Sequence, residues 1–184
     1  MAVAAMAMAA ALSVSASAAL ASPGASTITE VTGATVAAPS TVASDSKTAE
    51  VFNAMTAVAT SETGESKSME SILTTTLDTV ASEESKKQTA EVIAQVAQEA
   101  GVESVNELTV AAVVQIESTS EDGKVEMTTQ QKMEPGEKTS IIFIDENGNV
   151  QVLQAVFMNG KLQFNLPKGK KGTIMLMAKV SARA

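Results

Sequence analysis

Any chemistry in this chain has to come from carboxylates, lysines and hydroxyls, because the sequence contains no Cys, His, Trp or Tyr. Thiol and imidazole catalysis, zinc centres, disulfides and imidazole pH switches are therefore excluded. Ser44-Asp45-Ser46-Lys47 has the S-x-x-K spacing that pairs a serine nucleophile with a lysine base. The accompanying S-D-N and K-T-G elements are missing, and Lys171-Gly172-Thr173 has the wrong order. Asp145, Asn147 and Asn149 alternate like the first three ligands of a calcium loop, but Val150 and Val156 stand where that loop needs Gly and Glu. A hairpin turn explains the same residues. Glu83-Glu84 and Glu121-Asp122 are neighbours in sequence, not carboxylates facing each other across a cleft, so they lack the geometry of a glycosidase pair.

The remaining candidates are cationic. Lys168, Lys170 and Lys171 fall within one glycine-flanked loop, PKGKKG, and Lys161 precedes them. All 21 acidic residues lie at or before Glu146, and every charged residue after it, from Lys161 to Arg183, is basic. A charge distribution of this kind steers the basic end toward an anionic surface. The simpler reading is a solvated hairpin. Leu166-Pro167-Lys168-Gly169-Lys170 departs from a sortase sorting signal in having Gly169 where Thr is required, and it reads as a strand-to-strand loop. The overall net charge of −8 argues against nucleic acid as a partner.

Residues 1–21 are uncharged, rich in Ala, Met and Val, and close on two A-x-A sites, Ala16-Ser17-Ala18 and Ala19-Leu20-Ala21. Small residues at −3 and −1 suit a signal peptidase, so cleavage is expected after Ala21, leaving Ser22 first, or else at Ala19. No membrane span is expected once this segment is removed. The first basic residue is Lys47, so a basic n-region is missing and the true start is expected upstream of Met1. The absence of Cys does not exclude secretion. Residues 22–45 are mostly Ser, Thr, Ala, Val, Pro and Gly, and this composition predicts a disordered linker.

Residues 46–101 are expected to be helical. Val51, Phe52, Met55 and Val58 predict an amphipathic helix over about 47–60, and Met69, Leu73, Leu77 and Val80 a second, weakened by Thr74, Thr75 and Thr76. A third starts at a capping box, Ser85 to Gln88, carries Val92, Ile93, Val96, Ala97 and Ala100, and ends at Gly101. Residues 102–184 read as six short strands. Leu108, Val110, Ala112, Val114 and Ile116 form one apolar face; Val125–Gln130, Thr139–Ile144, Val150–Phe157, Leu162–Leu166 and Thr173–Val180 follow. Turns fall at Asp122-Gly123, Pro135-Gly136, Glu146 to Asn149 and Asn159-Gly160. A parity slip near Val152-Leu153 predicts a bulge. Met175 and Met177 oppose Ile174 and Leu176, so one sheet face is expected to be covered by the helices or by another chain. The fold class is thus mainly β: a six-stranded antiparallel immunoglobulin-like sandwich preceded by about three short helices.

From about Val92 to Val180 the chain resembles the C-terminal immunoglobulin-like module of uncharacterised secreted proteins of Gram-positive anaerobes. The resemblance is carried by the helix ending in Gly101-Val102, by ELTVAAVVQIES, and by EPGEKTSIIFIDENGNVQVLQAVFMNGKLQFNL with its D-x-N-G and N-G-K turns. The last strand, GTIMLMAKV, departs from the aromatic- and serine-containing strand of that pattern. The resemblance implies an extracytoplasmic module and brings no activity with it. The function expected is a secreted or cell-surface, non-enzymatic interaction module, without cofactor, that contacts a protein or a cell-envelope surface. The alternative is an accessory domain binding an anionic envelope polymer through Lys161 and the Lys168–Lys171 loop.

Overall fold

The computed structural model describes residues 28–36, 68–119, 121–129 and 133–179. The expected signal segment with Ala19, Ala21 and Ser22, the expected helix over 47–60, and the Ser44–Lys47 motif lie outside these residues. Among the described residues the chain is mainly antiparallel β-sheet with a few helices. The strands are β1 (Ile28–Thr32), β2 (Ala34–Val36), β3 (Leu108–Thr119), β4 (Lys124–Thr129), β5 (Lys138–Asp145), β6 (Val150–Met158), β7 (Lys161–Asn165) and β8 (Gly172–Lys179). The helices are α1 (Met69–Val80), the single turn α2 (Glu83–Lys86) and α3 (Thr89–Ala100), with a 3-10 turn at Val105–Glu107.

All six strands expected from the sequence are present as β3–β8. They pair in one continuous ladder, β1-β4-β7-β6-β5-β8-β3-β2, and are not divided into two separately hydrogen-bonded sheets. The ladder has to curl. Five strand spacings separate β4 from β3, about 24 Å at ~4.8 Å each, whereas the chain from Thr119 to Lys124 reaches at most about 18 Å. The curled sheet has two apolar layers. Val114 and Ile116 of β3 join Val125 and Met127 of β4 in one cluster with Ile141, Phe143, Leu162, Phe164, Ile174 and Leu176, which fills the concave side. The convex layer packs Ile142, Ile144, Met175 and Met177 under Leu73, Leu77 and Val80 of α1 and Val92 and Val96 of α3. The second methionine face is thus covered by this chain's own helices. β5 and β8 are apolar on both faces because both layers lean on them.

Several local expectations change once the packing is known. The bulge lies in β3, between Val110 and Ala112, and the β5–β6 register runs unbroken from Lys138↔Val156 to Ile144↔Val150. As a result β3 does not keep one apolar face: Leu108 and Val110 pack on the helical layer, while Ala111, Val114 and Ile116 pack inside. In β6 the parity slip records two packed faces, with Val150 and Val152 against the helices and Leu153, Ala155 and Phe157 inside. The third expected helix is split into two. Ser82, not Ser85, caps α2 by accepting from the Ser85 amide at 3.3 Å, and α3 starts after Gln88 with no side-chain cap. Its end is as predicted: Gly101 is left-handed, and the Val102 amide donates to the Ala97 carbonyl at 3.0 Å. Thr74, Thr75 and Thr76 lie within α1, each hydroxyl donating to the carbonyl four residues back at 2.8–2.9 Å, and the buried face of Ile72, Leu73 and Leu77 offsets their weak helix preference.

The expected linker 22–45 also needs correction. Its residues 28–36 form β1 and β2, which pair with β4 and β3 respectively. ITEVT and ATV are rich in β-branched residues, and the open edges of β4 and β3 supply the hydrogen bonds that composition alone could not anticipate.

Candidate functional site

The cationic loop sits at one end of the sheet, where the β5–β6 turn, the β7–β8 loop and the α1–α2 junction meet. Asp145, the last residue of β5, is buried beneath them at 2% exposure. Its Oδ1 accepts from the amides of Asn147 (2.8 Å) and Asn149 (3.0 Å). Its Oδ2 accepts from Asn149 Nδ2 (3.0 Å) and from Lys170 Nζ (3.1 Å). Burial by itself raises the carboxyl pKa. The hydrogen bonds from the Asn149 side chain and amide, from Lys170 and from the Asn147 amide outweigh that effect and hold it below the ordinary aspartate value. Asp145 is therefore a hairpin and loop anchor, held by two backbone amides, the Asn149 side-chain amide and the Lys170 ammonium.

The turn is docked on both sides. Gly148, at φ 82°, accepts at its carbonyl from the Ser82 amide at 2.8 Å, and the Val150 amide donates to Ser85 Oγ at 3.2 Å. On the other side the Glu146 amide donates to the Lys171 carbonyl at 3.2 Å. The Thr119 hydroxyl receives the Gly169 amide at 3.3 Å and bonds the Pro167 carbonyl at 3.4 Å. The loop is thereby held at the backbone of Pro167, Gly169 and Lys171 and through the side chain of Lys170.

The four lysines singled out by sequence do not form one patch with one role. Lys170 is tied to Asp145, with 46% of its side chain still exposed. Lys161 lies on β7 and pairs with Glu126 Oε2 at 3.5 Å, while Gln163 Nε2 donates to Glu126 Oε1. Lys168 and Lys171 are exposed, and among the described residues neither ammonium has an ion pair. What the loop offers, then, is two free cations on a pinned backbone. Of the carboxylate pairs, Glu83 is exposed at the start of α2 and bound to Lys86 Nζ at 2.7 Å, a hydrogen bond and charge that lower its pKa. Glu121 and Asp122 are exposed on the β3–β4 turn, where Asp122 Oδ1 accepts from the Lys124 amide.

A feature not expected from sequence lies on the outer face of β4, β7 and β6, beside α3. It is an open groove of about 730 Å³ that includes Val152, Val156 and Met158, with Glu99, Gln154 and Gln163 among its polar residues. Glu99 Oε2 accepts from Gln154 Nε2 at 2.9 Å. Met158, 48% exposed, is the one large apolar side chain left to solvent among the described residues. Alternation in β6 carries the signal for this face, but only the packing shows that the described helices lie over β5, β6 and β8. Among the described residues no cluster of three metal-ligating side chains occurs, and no helix is long and apolar enough to cross a membrane.

No family model matches the chain, and no curated protein and no solved structure is significantly similar to it.

Proposed function

We propose that the chain is a non-enzymatic extracytoplasmic module, secreted or held at the cell surface, that works by contact with an anionic surface of the cell envelope. The observation that carries this reading is the pairing state of the loop: Lys170 is spent on Asp145, whereas Lys168 and Lys171 stand exposed on a backbone fixed by Thr119, Glu146 and Asp145. Cations carried on a fixed backbone lose less entropy on binding than cations on a mobile loop and favour a polyanion with closely spaced charges. The role expected of an immunoglobulin-like module, a stable β scaffold presenting loops, would be filled here by the curled sheet with its helical cover. Export rests on the A-x-A sites at Ala18 and Ala21 behind an uncharged run.

The test is binding of the purified chain to cell walls and, as a separate arm, to anionic vesicles, across a salt series. Wild type should bind at low salt and dissociate as the screening length shortens to about 3 Å at 1 M. Replacing Lys168 and Lys171 with Ser should remove that salt-sensitive fraction while Lys170 is left in place. Absence of salt-dependent binding in both arms refutes the reading and leaves a solvated turn. Retention on walls but not vesicles assigns the ligand to the polymer.

A further inference from the structure

The two end strands of the curled sheet, β1 and β2, are neighbours in the chain and meet at Gly33. β4 and β3 face each other across a gap, and residues 28–36 fill it, with Thr32 paired to Glu126 on one side and Thr35 to Ser118 on the other. The fit depends on one residue. Gly33 has φ 89°, and a Cβ built there would stand 2.0 Å from the Lys124 carbonyl oxygen. Both half-strands are short, and both carry a register irregularity, between Ile28 and Glu30 and between Thr35 and Val36. The described hold on this segment is main-chain pairing, with Ala34 packed against the inner layer. β1 runs toward the β3–β4 turn and β2 runs away from it, so the chain bends back at Gly33, and pairing of this kind requires two short extended arms joined at a glycine.

Residues 37–67 lie between this strand and Ser68 at the start of α1. A chain of that length reaches up to about 100 Å when extended, farther than the width of one small domain. The same strand can therefore be delivered to the gap of its own molecule or to that of a neighbour. We infer that the gap between β3 and β4 is a strand-acceptor site, and that its partner is the 28–36 segment of a second copy, giving chains linked by strand exchange. This inference rests on the sheet topology and is independent of the envelope-contact reading. It also accounts for the edges: with residues 28–36 withdrawn, β3 and β4 would present unpaired backbone groups, which another strand tends to cover.

The natural absence of cysteine makes the test direct. Register neighbours in an antiparallel pair have Cα atoms about 4.5–5.5 Å apart, within disulfide range. One full-length chain carries Thr32→Cys, a second carries Glu126→Cys, and a third carries Gln151→Cys, an exposed β6 position with no pairing to residues 28–36. After concentrated mixing and mild oxidation, a Thr32–Glu126 heterodimer should form in at least about tenfold excess over the Thr32–Gln151 product. A chain carrying both Thr32→Cys and Glu126→Cys should close internally when oxidised dilute. Internal closure without any heterodimer on mixing overturns the inference, as does equal linking to Gln151, which would mark random collision. Failure of the double variant to close overturns the pairing on which the site is built.

Discussion

Lys170 Nζ lies 3.1 Å from Asp145 Oδ2, so a half-exposed ammonium on the β7–β8 loop neutralises a carboxylate buried at the end of β5. The two partners are unequal. Asp145 is also bound by two backbone amides and one side-chain amide, while Lys170 keeps nearly half its surface in water. The weight of the pair therefore sits on the aspartate.

Asp145→Asn should cost about 2–3 kcal/mol, because a buried, charge-assisted set of hydrogen bonds loses its acceptor and leaves donors unmatched. The pH dependence follows from the lowered pKa. A depressed folded pKa means that the unfolded chain binds the proton first, so the stabilisation is complete above the ordinary aspartate value of about 3.9 and is lost as pH falls through the folded value. Urea titrations of both proteins should differ fully at about pH 6 and converge in stronger acid. A gap that widens on acidification would contradict the assignment.

The lysines should separate in the same assay. Lys170→Ser is expected to lower stability by about 1 kcal/mol, discounted for the solvent that screens a half-exposed partner. Lys168→Ser with Lys171→Ser should leave the denaturation midpoint within about 0.5 kcal/mol of wild type, as for surface changes away from any anchor. Equal effects of the two replacements would mean that the Asp145 contact has no structural weight.

Gly148→Val tests the docking of the β5–β6 turn on the helices. A Cβ there would meet the Ser82 amide nitrogen at 2.8 Å and the Val80 carbonyl oxygen at 3.1 Å, at a positive φ. Strain and lost docking together should cost about 3 kcal/mol. Amide exchange should quicken first around Val80–Ser85, with the inner layer of the sheet protected longer.

Met177→Ala probes the seam between sheet and helices. Met177 is fully buried in the layer that also holds α1 and α3. The cavity should cost about 2–4 kcal/mol in thermal or chemical unfolding. Met158→Ala, at the exposed groove, should be nearly neutral in the same measurement.

Elements governed by neighbouring residues could be read from the chain itself. The turns at Asn159-Gly160 and Gly148, the stop at Gly101 and the six strands follow from φ preference and alternation, and these are local properties. The hairpin role of Asp145, Asn147 and Asn149 could be read in the same way. Four features depended on distant partners. The shift of apolar face within β3 needs the β8 register, because a bulge is defined by the strand opposite it. The strands at residues 28–36 exist because β4 and β3 offer edges about 90 residues further on, and no window of local composition contains those edges. The order of the ladder is set by which strands meet, and alternation cannot distinguish a curled sheet from a sandwich when both bury one face of every strand. The separate fate of Lys170 is tertiary for the same reason. Three lysines in one glycine-flanked loop look alike in sequence, and only the buried carboxylate on β5 selects one of them.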